Sequence, residues 1–257
     1  MSALTASEST AATPRAVARV WRIARLLTTN PWTVAGLPFM ILGVIFVLTW
    51  IIWWLINVNL GADARADAGD AQYNGAASYI FVYMLVIAVQ SVNLAFPLAL
   101  GYGATRRAFS LGSTLAFVML SAVYALVMTI GAWLEDLTDG WGLKGVFFRT
   151  FYFATDDGWL VQWWVYFCWF VFFFFTGTIF AAMYVRWKAT GLTLSLVSLA
   201  LLVVGAIAGL TLTSSWGTLW GTIGDLGVVG VASVLLIPAV AAAIVGGLVL
   251  QRATPRG

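Results

Sequence analysis

No histidine occurs among the 257 residues, which removes every chemistry that needs an imidazole as ligand, base or orienter: His-bound metals, Ser-His-Asp or Cys-His catalysis and His-ligated haem. The lone thiol, Cys168, lies in an aromatic run and predicts an inert buried side chain with no intrachain disulfide partner. Two acid pairs remain, Glu135 with Asp136 and Asp156 with Asp157. Sequence neighbours diverge on a helix or strand, so neither pair suits acid/base work, and a solvated negative rim is expected. The chain carries no Gly-rich phosphate loop ending in Lys and Ser/Thr. Neither a catalytic residue, nor a metal site, nor a cofactor bound by this chain is expected.

Two other groupings have chemistry-bearing types at useful spacing. Gln90 and Asn93 are three residues apart on one helical face, followed by Pro97, which suits interhelical hydrogen bonding with a proline kink or a candidate substrate path. The second is the stretch Gly101-Tyr-Gly-Ala-Thr-Arg-Arg-Ala-Phe-Ser-Leu-Gly112. Gly101 and Gly103 let the chain leave one helix and turn, Thr105 can cap the next, and Arg106 and Arg107 place charge-assisted donors at its exposed start. Phe109 can anchor a short helix there.

The elements that must hold these residues follow from composition. With 62% hydrophobic residues, 9% charged residues and a mean hydropathy of +0.96, the chain is far from the soluble range, where about a quarter of residues are charged. An all-α, polytopic integral membrane protein is expected. Six segments reach the roughly 20 apolar residues that a helix needs to cross the hydrocarbon: about 34–56, 79–100, 112–133, 159–184, 191–212 and 229–250. None holds Asp, Glu, Lys or Arg, which disfavours ion-coupled transport and intramembrane proteolysis. Their continuous apolarity excludes a membrane β-barrel.

Charge sets the expected orientation. Arg15, Arg19, Arg22, Arg25, Arg106, Arg107, Arg186, Lys188, Arg252 and Arg256 fall on one side, and only Arg65, Lys144 and Arg149 on the other. The positive-inside rule makes the first side, with both termini, cytoplasmic, and predicts a multi-pass protein of the cell (plasma) membrane. It also accounts for the net charge of +3 without nucleic acid. Of the acids, Glu8 alone falls inside.

Residues 1–13 read as a disordered cytoplasmic tail, with no signal peptide expected behind it. Residues 14–31 read as an interfacial amphipathic helix, 32–250 as the six-helix transmembrane domain and 251–257 as a second cytoplasmic tail. Outside, 57–78 is expected to be flexible, whereas 135–158 carries aromatics suited to the headgroup belt. The segment 213–228 is too apolar for a solvated loop and too rich in glycine for a span, and predicts partial insertion. Gly205 and Gly209 form a small-xxx-small pair, as do Ala242 with Gly246 and Ala243 with Gly247. The aromatic fourth span is expected to pack or face lipid rather than cage a ligand.

Gly103, Thr105, Arg106, Arg107 and Phe109 match a G-x-T-R-R-x-F pattern, and at these residues the chain resembles the membrane (permease) subunits of type-2 ATP-binding-cassette (ABC-2) exporters. The amphipathic N-terminal helix, six spans, internal termini and inserted segment before the last span extend the resemblance over most of the chain. It implies that this loop couples to a cytoplasmic ABC ATPase subunit, which holds ATP and Mg, with a lesser contact through Arg186, Trp187 and Lys188. It further implies a dimer with a second permease copy or paralogue, with Gly205 and Gly209 at the dimer packing. The expected function is outward movement of a lipid, amphipathic drug or peptide. The competing class is an ATP-independent membrane binding module, such as a substrate-capture subunit of an uptake system or an immunity protein.

Overall fold

The computed structural model describes residues 12–59, 75–150 and 153–252. Most of the expected tail at 1–13, most of the 57–78 loop and most of the tail at 251–257 lie outside the described residues. What is described is all-helical: α1 (Ala12–Leu27), α2 (Leu37–Asn59), α3 (Tyr79–Gly101), α4 (Arg106–Leu137), α5 (Trp159–Leu212), α6 (Trp216–Val234) and α7 (Leu236–Arg252). Five helical stretches are long and apolar enough to cross a membrane: Trp32–Asn59, Ala76–Gly101, Arg106–Leu137, Trp159–Leu212 and Trp216–Arg252.

The number is five rather than the expected six because the fourth and fifth segments share one 54-residue stretch, α5, with no loop between them. Its continuity is broken at Lys188, whose backbone (φ 57°, ψ −147°) is non-helical. A straight helix would hold Thr176 and Leu202 about 39 Å apart. Instead both line one cavity, and a methyl group built on Gly191 would lie 2.9 Å from the Met183 carbonyl oxygen. The chain therefore doubles back at Lys188, and α5 is a hairpin of two legs with a cleft between them.

Aromatic packing around the first leg forms the core. Phe174 stacks on Phe117 of α4 (5.1 Å), Phe170 lies against Tyr124 of α4 (5.5 Å) and Phe81 of α3 (4.6 Å), and Phe170 and Phe174 are fully buried. Such ring pairs stabilise beyond their buried area, so the aromatic fourth segment serves packing. α3 runs parallel to this leg, since Phe81 meets Phe170 while Leu85 and Ala88 meet Gly177. That approach requires glycine: a methyl group at 177 would stand 2.4 Å from the Leu85 carbonyl oxygen. α4 runs antiparallel, with Phe117 at Phe174 and Tyr124 at Phe170. The chain's last helical stretch is parallel again: Ala232 joins Val165 and Cys168, Ala239 joins Val171 and Phe175, and Gly246 reaches Thr178 and Ile179.

α1 is held on α4, where Ile23 and the Val20 carbonyl crowd Gly112 so closely that a methyl group there would overlap them. Ile23, Ala24 and Leu27 are buried, whereas Val17 and Trp21 are exposed. A π-helical turn, Trp32–Gly36, follows, and the Tyr124 hydroxyl donates to the Val34 carbonyl. Tyr124 is 18 residues into α4, about 27 Å from its start. α2 therefore begins halfway along α4 and continues past it. Phe46 packs on Trp141 (4.7 Å) and Phe147 (5.2 Å), and Trp53 is buried beside Gly145.

The 213–228 segment is helical from Trp216 and is interrupted at Gly227 (φ 61°, ψ −177°). Ser214, at φ 52°, turns the chain between α5 and α6.

Candidate functional site: the basic end of the bundle

At the end of α3 the chain closes a glycine-terminated turn. Gly103 adopts φ +79°, its N–H donates to the Leu100 carbonyl (2.9 Å), and the Ala104 N–H reaches the Ala99 carbonyl (3.0 Å). This pair of bonds satisfies carbonyls that a helix end leaves free, and only glycine takes that backbone without strain. Two residues later Thr105, in extended conformation, caps α4 by accepting from the Ala108 N–H (3.2 Å). A short link thus reverses the chain and starts a new helix on Arg106.

No separate short helix exists here. Arg106 to Leu137 is one helix of 32 residues, about 48 Å long against a hydrocarbon core of about 30 Å. Its first turns are fixed from three directions. Phe109 is fully buried and packs edge-on against Phe96 of α3 (5.1 Å). The Arg106 Nη1 donates to the Gln251 carbonyl (2.9 Å), supplying a charge-assisted partner to the last carbonyls of α7, where the helix dipole also favours a cation. Ser110 lies against Gly247, whose added methyl group would meet the hydroxyl at 2.8 Å. Arg107, by contrast, is exposed.

The reversal in α5 belongs to the same end, because Gly246, next to the Gly247 that meets Ser110, touches Thr178 and Ile179 ahead of it. Arg186, Trp187 and Lys188 are all exposed there, and the Arg186 guanidinium lies 4.4 Å from the Trp187 ring centre, a cation–π contact. The turn at 101–109, the turn at 186–188 and the end of α7 therefore gather Arg106, Arg107, Arg186, Lys188 and Arg252 at one end of the bundle.

Gln90 and Asn93 behave differently from each other. Gln90 is exposed, while Asn93 is half-buried and its Oδ1 is buried without a hydrogen-bond partner among the described residues. Gly205 and Gly209 face open space, with nothing within 4 Å of where a methyl group would stand. Both lie on the second leg of α5, whose large side chains are mostly exposed, Leu202 at 68% and Leu212 at 86%.

The opposite end corrects one expectation. Glu135 is not part of a solvated rim but is 4% exposed. Its Oε2 accepts from the backbone N–H groups of Phe147 (2.7 Å) and Phe148 (2.9 Å) and from Trp141 Nε1 (3.3 Å), and its Oε1 accepts from the Arg149 N–H (3.0 Å). A carboxylate so surrounded organises the 138–150 segment as a cap. Arg149 adds ion pairs to Asp136 (3.0 Å) and to fully exposed Asp156 (2.8 Å), and surface pairs of this kind contribute little. Beneath them buried Gln162 accepts from the Thr155 N–H (3.2 Å) and donates to the Phe153 carbonyl (2.6 Å). The only hint of this network in the sequence is the density of glycine and aromatic residues after Glu135.

Groups of three or more His, Cys, Asp or Glu side chains able to hold a metal ion are absent among the described residues. Compared with protein-family models, curated proteins and solved structures, the chain matches none.

Proposed function

We propose that the chain is the membrane subunit of an ABC-2-type exporter, crossing the plasma membrane six times with both termini inside and coupled to a separate ATPase. The second leg of the α5 hairpin is the fifth crossing, and Trp216–Arg252 supplies the sixth. The observation that carries the reading is the 101–109 turn: a glycine-terminated helix, a threonine cap and two arginines at the head of a helix longer than the bilayer is thick. Force applied there by a partner would pass rigidly into α3 through Phe109 and into α7 through Arg106. α1 would lie along the inner half of α4 near the interface, and the Arg186–Lys188 turn would make the lesser ATPase contact. Nucleotide chemistry, ATP and Mg would belong to the partner, and a second copy would pack on the Gly205–Gly209 face. The cargo expected is a lipid, amphipathic drug or peptide.

The test compares two double substitutions that remove the same charge from the expected cytoplasmic side. Arg106→Ala with Arg107→Ala should leave insertion and abundance intact, because other basic residues still orient the chain, yet weaken association with a co-expressed cassette ATPase roughly tenfold or more for each arginine removed. Arg107→Ala alone should weaken association roughly tenfold, with Arg106 still engaged with the Gln251 carbonyl. Arg252→Ala with Arg256→Ala should associate normally. Equal ATPase association by both double variants at equal abundance refutes the coupling assignment.

A further inference from the structure

The two legs of the α5 hairpin do not close on each other. Between them lies a cleft of about 610 Å³, lined by Phe180, Met183 and Trp187 of the first leg and by Leu194, Ser198 and Leu202 of the second. It runs along the second leg from Thr190 to Leu202, about 18 Å, which is close to the depth of one leaflet, about 15 Å. Its closed end is the Lys188 reversal, and Arg186 holds its guanidinium over Trp187, a wall residue of the cleft. The site is thus mostly apolar along its length and positive at its closed end.

Charge decides between the occupants that a membrane offers. The apolar spans of a second copy hold no Asp or Glu, so a helix from that copy brings no counter-charge to Arg186 and Lys188. An acyl chain is narrow enough, and its headgroup would then stand beside two cations. The geometry points to an anionic phospholipid of the inner leaflet: one acyl chain in the cleft, the phosphate at Arg186 and Lys188. Bound this way, the lipid fills the gap between the legs and braces the second leg, which the protein itself leaves almost uncovered. This site uses the six-crossing reading only to assign the leaflet and owes nothing to the ATPase.

The experiment uses the isolated full-length chain in a maltoside detergent, titrated with dioleoyl phosphatidylglycerol or dioleoyl phosphatidylcholine, with bound lipids counted by native mass spectrometry. The wild type should hold one phosphatidylglycerol about thirty-fold more tightly than phosphatidylcholine, the preference expected of two basic groups beside an anionic headgroup. Arg186→Gln with Lys188→Gln should abolish the preference and keep a weak site for both lipids. Ser198→Phe, which fills the cleft, should remove the tight site altogether, and Leu202→Trp, filling it from the far end, decides the matter if Ser198→Phe does not yield folded protein. Equal binding of the two lipids by the wild type, or wild-type affinity for phosphatidylglycerol in a folded cleft-filled variant, overturns the proposal. Loss of ATPase association in the coupling test would leave this result untouched, and the converse holds too.

Discussion

Replacing Glu135 by Ala strands three backbone N–H groups and an indole N–H that its carboxylate satisfies. The expected loss is roughly 3–5 kcal/mol, because buried donors left unpaired cost their full desolvation. Glu135→Gln keeps an acceptor oxygen and should cost about 1–2 kcal/mol. Denaturant unfolding in detergent, with proteolysis of the 138–158 segment as a second readout, checks both, and equal stability of Ala and Gln variants would contradict the network. The sequence hid this residue for a physical reason. Glu135 stands beside Asp136, so the pair looks like a solvated rim, and its partners are chiefly main-chain groups 12 to 14 residues later that have no side-chain signature. Gly103 and Thr105 were legible because their tasks are local: positive φ and helix capping are properties of single residues and their immediate neighbours.

At the scale of elements, glycines divide into those that touch and those that do not. Gly177→Ala forces a methyl group onto the Leu85 carbonyl and the Ala88 side chain, and should destabilise the α3–α5 contact by about 1–3 kcal/mol. Gly205→Ala and Gly209→Ala meet nothing, so the folded chain should be unchanged in thermal unfolding while any dimer packed on that face weakens, read by crosslinking in membranes. If Gly205→Ala unfolds the chain as Gly177→Ala does, the second leg is more closely packed than the structure shows. Helix existence and approximate extent were readable from apolar run length alone. A break between the fourth and fifth segments was marked by Arg186 and Lys188, but not its tightness: the turn uses one non-glycine residue in a backbone region that sequence pattern does not mark. The half-helix shift of α2 along α4 was equally invisible: it depends on where Tyr124 meets Val34, residues 90 apart in sequence.

For the whole molecule the testable quantity is sidedness. Basic residues collect where α4 begins and acids where it ends, about 45 Å apart along one helix. In a Cys168→Ser background, single cysteines at 67 and 139 should be labelled by an impermeant maleimide from outside intact cells. Cysteines at 107 and 188 should be labelled only after the inner face is opened. Outside labelling at 188 would mean that the first leg of α5 does not carry the chain across the bilayer, reducing the crossings. Charge distribution made this arrangement readable from sequence, since it depends on composition rather than on packing.

The parallel seat of the final helix against the first leg of α5 sets an order of manufacture. Gly246 and Gly247 bring α7 against Thr178 and Ile179 on one side and Ser110 on the other, so the gap between α4 and α5 is closed by a helix that the ribosome delivers after both. Every earlier helix must wait in the bilayer with that seam exposed to lipid, held together largely by aromatic pairs. A nascent chain that still lacks α7 therefore presents an unfilled seam and an Arg106 without its Gln251 carbonyl.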